Sequence, residues 1–123
     1  MKVSEVMTRN PEVVKASESI FNAACKLAGK DVGALPVEQD ERLLGMITDR
    51  DIVVRVIADS RDPVKTKVED VVSREPKFCY EDEDVAHVAS NMDKLLVRRL
   101  PVMNRQKRLV GIVSIEDIRP RKH

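Results

Sequence analysis

Aromatic side chains are almost missing from these 123 residues: Phe21, Phe78 and Tyr80 are the full set, and there is no tryptophan. Proteins that grip unpaired bases stack them on aromatics, so that strategy is excluded. A dominant charge is missing too. The chain carries 22 Lys+Arg against 21 Asp+Glu, a net charge of +1. Residues 1–60 hold 8 basic and 10 acidic side chains, and the remainder 14 and 11. Neither balance draws the chain to nucleic acid or to an anionic membrane surface. No apolar run approaches the roughly 18 residues of a membrane span, and the start Met1-Lys2-Val3-Ser4-Glu5-Val6-Met7 has no signal-peptide core. A cytoplasmic protein is therefore expected. Only two cysteines occur, Cys25 and Cys79, with no CxxC spacing, which suits reduced structural thiols. His87 and His123 lack ligand-spaced neighbours, so no metal is expected. There is no Walker-type loop and no evident nucleophile paired with a base, so no enzyme is expected.

What the chain does contain is a repeat. Lys2-Val3, Val6, Arg9, Pro11, Glu18, Ala24, Val32 and Leu35-Pro36-Val37 recur 65 residues later as Lys67-Val68, Val71, Arg74, Pro76, Glu83, Ala89, Val97 and Leu100-Pro101-Val102. The offset then becomes 66: Arg42-Leu43, Gly45, Asp51 and Ile52 return as Arg108-Leu109, Gly111, Asp117 and Ile118. The extra residue falls in a polar stretch, 38–41 against 103–107, where a turn absorbs it. Two copies of one supersecondary unit imply a pseudo-twofold object with paired sites. Residues 1–58 are read as the first repeat, 59–66, which holds Pro63, as a linker, and 67–123 as the second. Each half alone is marginal in size, so a single shared core is expected.

Each copy reads as helical start, strand, helix, strand, strand, helix. Val13-Val14 opens a short strand, Ser17 is the expected helix cap, and Ile20, Ala23, Ala24 and Leu27 form one apolar stripe. In the second copy Phe78-Cys79-Tyr80, an acidic cap at Asp82, and Val85, Val88, Ala89 and Met92 repeat the plan. Runs at 34–37 and 43–47, and at 100–103 and 109–113, predict two hairpins. A helix follows each, over 51–58 in the first copy and stopped by Pro120 in the second.

The chemistry concentrates at the strand-to-helix junctions Gly45-Met46-Ile47-Thr48-Asp49-Arg50-Asp51 and Gly111-Ile112-Val113-Ser114-Ile115-Glu116-Asp117. Ser/Thr-x-x-Asp is a capping box, in which Thr48 and Ser114 satisfy helix N–H groups and Asp51 and Asp117 reach back. It also suits a ligand, with phosphate at the hydroxyl and a ribose diol on the carboxylate. The two roles are compatible. The glycine before each strand permits close backbone approach or a turn. Ahead of Leu-Pro-Val, the second copy has Arg98-Arg99 where the first has Gly33-Ala34. Guanidinium forks match phosphate oxygens, and a solvated edge that deters strand-on-strand association is the alternative. Arg50 serves either a phosphate or a surface ion pair, and Ala34 lines the same strand start.

With Val6-Met7-Thr8, Asn10-Pro11, Ala34-Leu35-Pro36-Val37 and Gly45-Met46-Ile47-Thr48-Asp49-Arg50-Asp51-Ile52 all echoed in the second copy, the chain resembles a tandem pair of cystathionine-β-synthase (CBS) domains, a Bateman module. The resemblance covers the chain from Val3 to Ile118. It implies an α+β fold, two β-α-β-β-α repeats packed as a pseudo-twofold pair, with clefts between copies that take adenosyl ligands: AMP, ADP, ATP, S-adenosylmethionine, NAD-type or cyclic dinucleotides. It implies that Asp51 and Asp117 meet ribose while Thr48 and Ser114 serve phosphate. Arg98-Arg99 resembles the basic pair that contacts phosphates in the γ subunit of AMP-activated protein kinase, and Gly33-Ala34 departs from it, so the two sites are expected to be unequal. No required cofactor, a homodimer built through helices, and a regulated partner protein are further implications. A protein-interaction or dimerisation module without functional nucleotide binding is the competing expectation.

Overall fold

The computed structural model describes residues 1–30 and 32–119. The expected helix stop at Pro120 and the terminal His123 lie outside the described residues. In chain order the elements are a 3-10 turn (Val3–Glu5), β1 (Thr8–Arg9), β2 (Val14–Lys15), α1 (Ile20–Lys30), β3 (Ala34–Gln39), β4 (Arg42–Thr48) and α2 (Asp49–Ile52), which runs into a π-helical turn (Val53–Ile57). A second 3-10 turn (Val68–Asp70), β5 (Ser73–Arg74), β6 (Cys79–Tyr80), α3 (Val85–Leu95), β7 (Arg99–Met103), β8 (Leu109–Ser114) and α4 (Ile115–Ile118) complete it. The fold is α+β in two repeats, as expected. Among the described residues no helix is long and apolar enough to cross a membrane.

The two compact units are not the two repeats. One unit is Glu12–Pro76, and the other joins Met1–Pro11 to Lys77–His123. Each repeat lends its leading segment to the unit that holds the other repeat's body. In the Glu12–Pro76 unit the sheet order is β2-β3-β4-β5, with β2 parallel to β3 and the other pairs antiparallel. In the other unit the order is β1-β8-β7-β6 with the same pattern. The parallel pairs need a crossover, and α1 and α3 supply it. Residues 59–66 belong to the first of these units and fold back on α1: Ile20 N–H donates to the Thr66 carbonyl at 2.9 Å and Phe21 N–H to that of Pro63 at 3.0 Å.

The single shared core expected from size is replaced by two. Val14, Ile20, Leu27, Val37, Ile47 and Val56 form one, completed by Val68, Val71 and Val72 from the second repeat. Cys79, Val88, Met92, Leu100, Val102 and Val113 form the other, completed by Val3 and Met7 from the first. The exchange of leading segments supplies each small core with apolar side chains its own repeat lacks, which is how the shortage of buried surface is met.

Local chemistry explains most boundaries. Asp40 and Glu41 both have positive φ (53° and 65°), the two-residue turn whose twist matches a hairpin. The second hairpin uses a longer loop, held by Asn104 Oδ1, which accepts from the Gln106 and Arg108 N–H groups at 3.0 Å. The extra residue of the second copy is thus absorbed at the turn, as the offset predicts.

Both helix caps expected from sequence lie two residues too early. Ser19 Oγ, not Ser17, accepts from Asn22 N–H at 3.1 Å, and Asp84, not Asp82, caps α3 by accepting from Ala86 N–H at 3.0 Å. The intervening residues close a turn first: Glu18 Oε2 accepts from Lys15 N–H and Glu83 Oε2 from Tyr80 N–H, each at 2.6 Å. Asp82 is free for another task, a two-pronged pair with Arg105 at 2.9 and 2.8 Å. That hydrogen bond holds its carboxyl below the ordinary carboxylate range.

Candidate functional site

Gly45 fixes the neighbourhood of the first junction. A Cβ there would stand 2.2 Å from the Ser73 carbonyl oxygen and 2.8 Å from Val72 Cγ2, so β5 lies against β4 only because residue 45 has no side chain. Gly111 does the same for β1, its Cβ position 2.7 Å from the Thr8 carbonyl oxygen. Close approach, not a turn, is the role of both glycines. It brings Ser73 of the second repeat beside the junction of the first.

At that junction the capping box is formed. Thr48 Oγ1 accepts from Asp51 N–H at 2.9 Å, and Asp51 Oδ2 accepts from Thr48 N–H at 3.0 Å. The cap uses the threonine hydroxyl as an acceptor, so its O–H remains available to donate. It uses one carboxylate oxygen of Asp51. The other, Oδ1, faces the Ser73 hydroxyl at 3.5 Å and the Arg55 Nε at 3.9 Å. The Asp51 side chain is only 14% exposed, so it is largely screened from water yet still reachable. Ala34 pairs with Thr48 across the β3–β4 ladder. Arg50 is exposed and makes no ion pair among the described residues.

The second junction repeats the box. Ser114 Oγ accepts from Asp117 N–H at 3.2 Å, and Asp117 Oδ2 accepts from Ser114 N–H at 2.8 Å. Ser114 is buried, and it pairs with Arg99 across the β7–β8 ladder at the place Ala34 holds in the other unit. The two arginines part company here. Arg98 is tied by its guanidinium to the Glu116 carboxylate, whereas Arg99 is an exposed strand residue. Glu116 occupies the repeat position of Arg50, so the first junction has a cation where the second has an anion that already holds one.

Sequence reasoning missed Ser73 and Arg55. Both left a signal. Ser73 corresponds to Thr8 at offset 65, a hydroxyl kept in both copies, and Arg55 corresponds to Arg121 at offset 66.

Other groups have plainer roles. Cys79 is buried, and burial pushes its thiol up from 9.0 to about 12, with a smaller contribution from Glu83. Cys25 is exposed. Among the described residues no group of three or more His, Cys, Asp and Glu is placed to hold a metal ion. An apolar groove of about 340 Å³ runs between α1 and α2, lined by Ala24, Leu27, Val32, Ile52 and Val53 among others. Val53 at its lining is more than half exposed, as is Ile57, and Val54 and, on α1, Phe21 are about half exposed.

A family model described as CBS domain matches residues 3–58 and 68–121. The uncharacterized protein YlbB of Bacillus subtilis (strain 168) is 35% identical over 119 residues, covering 95% of this chain and 79% of YlbB. The crystal structure of Hypoxic Response Protein I with two coordinated zinc ions superposes with a TM-score of 0.86 at 31% identity, over 100% of both chains. CBSX2 in complex with AMP gives 0.81 at 27% identity, over 95% of this chain and 92% of that one. The CBS domain pair of MJ0100, in complex with 5′-methylthioadenosine and S-adenosylmethionine, gives 0.77 at 32% identity, over 97% and 93%.

Proposed function

This chain belongs to the CBS domain family, and we propose that it is a non-enzymatic, cytoplasmic sensor module that binds an adenosyl ligand at its Ser/Thr-x-x-Asp junctions and signals to a partner protein. One observation carries the reading: at Asp51 the cap consumes Oδ2 and leaves Oδ1 with only a long hydroxyl contact and a distant guanidinium. A half-satisfied carboxylate oxygen, shielded from bulk water, is the acceptor a ribose diol requires. Thr48 retains a donor for phosphate. At the other junction Asp117 and Ser114 offer the same pair, with Arg99 beside Ser114. Arg98 is committed to Glu116, so the two junctions differ in their attraction for phosphate. That similar pairs bind AMP in one structure and S-adenosylmethionine with 5′-methylthioadenosine in another supports the ligand class.

The test is a thermal-shift panel of AMP, ADP, ATP, S-adenosylmethionine, NADH and cyclic dinucleotides, with calorimetry on each hit. Asp51→Asn and Asp117→Asn are the informative variants. Asparagine can still accept from the capped N–H through its carbonyl, but it presents a donor where the ribose needs an acceptor. Ligand at about 100 times its Kd adds roughly 2.7 kcal/mol, a rise of some 8–15 °C for a chain of this size. A shift lost in one variant assigns the junction; a flat panel on the wild type removes the reading.

The exposed apolar side chains Val53, Val54 and Ile57 on one turn favour a second role, dimerisation, either alongside ligand binding or in its place. Sedimentation of wild type and of Ile57→Glu separates these cases: a dimer that becomes a monomer places a subunit contact on this turn.

A further inference from the structure

Asp51 stands at the end of a short chain of contacts that leads to the place where the polypeptide leaves its unit. Arg55 lies one turn beyond Asp51, where the π-helical turn widens the helix, a distortion often found at functional positions. Its guanidinium faces two ways. Nε points to Asp51 Oδ1 at 3.9 Å, and Nη1 donates to the Val71 carbonyl at 3.0 Å. Ser73, two residues past Val71, puts its hydroxyl on the same Asp51 oxygen. Residues 71–73 are thus linked to Oδ1 twice, directly by Ser73 and through Arg55 from Val71.

Those residues begin the crossing. The Glu12–Pro76 unit ends at Pro76, and the residue before it, Glu75, has φ of 59°. A non-glycine side chain in the left-handed region is strained. The other crossing, at Pro11, is preceded by Asn10 with φ of 51°. Both passages thus carry a left-handed residue ahead of a proline, and the second follows the residues tied to Asp51 by Arg55 and Ser73.

We propose that Arg55 reads the occupancy of Asp51 and passes it to the 71–76 crossing. This rests on the reading of Asp51 as a ribose acceptor. A ribose hydroxyl donating to Oδ1 takes up the oxygen that Ser73 and Arg55 now face. The long contacts of Arg55 and Ser73 weaken in that competition, so Arg55 leans on the Val71 carbonyl and the Ser73 hydroxyl is drawn to the ligand or to another acceptor. Occupancy is felt as a change in how segment 71–76 is held, which gives the ligand a differential interaction with two states of that segment.

The experiment pairs calorimetry with amide hydrogen exchange of residues 71–76, using AMP and S-adenosylmethionine as probes on the intact chain. In the wild type, a bound probe changes exchange across 71–74. In Arg55→Gln, whose guanidinium faces the proposed acceptor, the calorimeter gives the new Kd and exchange is compared at saturating probe, where the exchange change in that segment disappears. Arg55→Met, which keeps the aliphatic stem over its neighbours, gives the same outcome and stands in if the glutamine variant does not fold. An exchange response that persists in the Arg55 variants overturns the proposal, as does a wild type that binds probe with no response at 71–74. A wild type that binds neither probe in the calorimeter overturns the ribose reading itself, and this inference with it.

Discussion

Ser73 of the second repeat faces Asp51 of the first, hydroxyl to carboxylate at 3.5 Å, across 22 residues of sequence. The pair exists because β5 docks on β4 within one unit, with Ser73 opposite Met46. The candidate site, which reads in the sequence as the property of one repeat, draws residues from both.

Gly45→Ala is expected to be the more damaging of the two strand-glycine substitutions. Its added methyl would meet the Ser73 backbone, which cannot yield without lifting β5, whereas at Gly111 one of the close atoms is the flexible Met7 thioether. Overpacking of this kind costs about 1–3 kcal/mol. Urea denaturation should show Gly45→Ala at or above the upper end and Gly111→Ala below it. Equal midpoints for the two would contradict this.

Moving the cap assignment by two residues is directly measurable. Ser19→Ala removes the acceptor for Asn22 N–H and should cost about 1 kcal/mol. Ser17→Ala touches an exposed turn and should stay within about 0.5 kcal/mol of wild type. The reverse order in denaturation midpoints would restore the cap read from sequence.

Alkaline stability should reflect Cys79. Its folded thiol lies at about 12 against an ordinary 9.0, so folding favours the protonated form. Below pH 9 both states hold the proton and the contribution is whole. As pH rises from 9 towards 12 the unfolded chain ionises first and that stability is lost. Cys79→Ala should flatten this alkaline limb in melts taken from pH 8 upward. In native protein at pH 8, iodoacetamide should label the exposed Cys25 and spare Cys79.

Glu116 should act as a brake on phosphate recognition in the unit that holds Arg98. Glu116→Gln releases the guanidinium from its carboxylate. The expected result is tighter binding of AMP relative to adenosine by up to about fivefold, the range of a half-exposed ion pair. Competition calorimetry with the two ligands gives the ratio. An unchanged ratio would separate Arg98 from phosphate binding.

The parts legible in the sequence are those governed by neighbours a few residues apart. The α1 stripe of Ile20, Ala23 and Leu27 is buried as its spacing requires, and both Ser/Thr-x-x-Asp boxes close as capping geometry. The hairpins stand where short apolar runs flank a polar turn. Ser17 and Asp82 misled because cap preference is satisfied by several nearby polar residues, and the Glu18 and Glu83 turns decide among them.

By itself the sequence determined the repeat, the element types, the family and the residues that cap each junction, because local hydrogen bonding and apolar periodicity act within one or two turns. Tertiary structure decided which repeat's leading strand joins which sheet, and so placed Ser73 and Arg55 at Asp51 and bound Arg98 to Glu116. Those choices depend on docking two short strands against glycines far away in the chain. A repeat whose two leading segments are nearly interchangeable in pattern does not encode that choice locally.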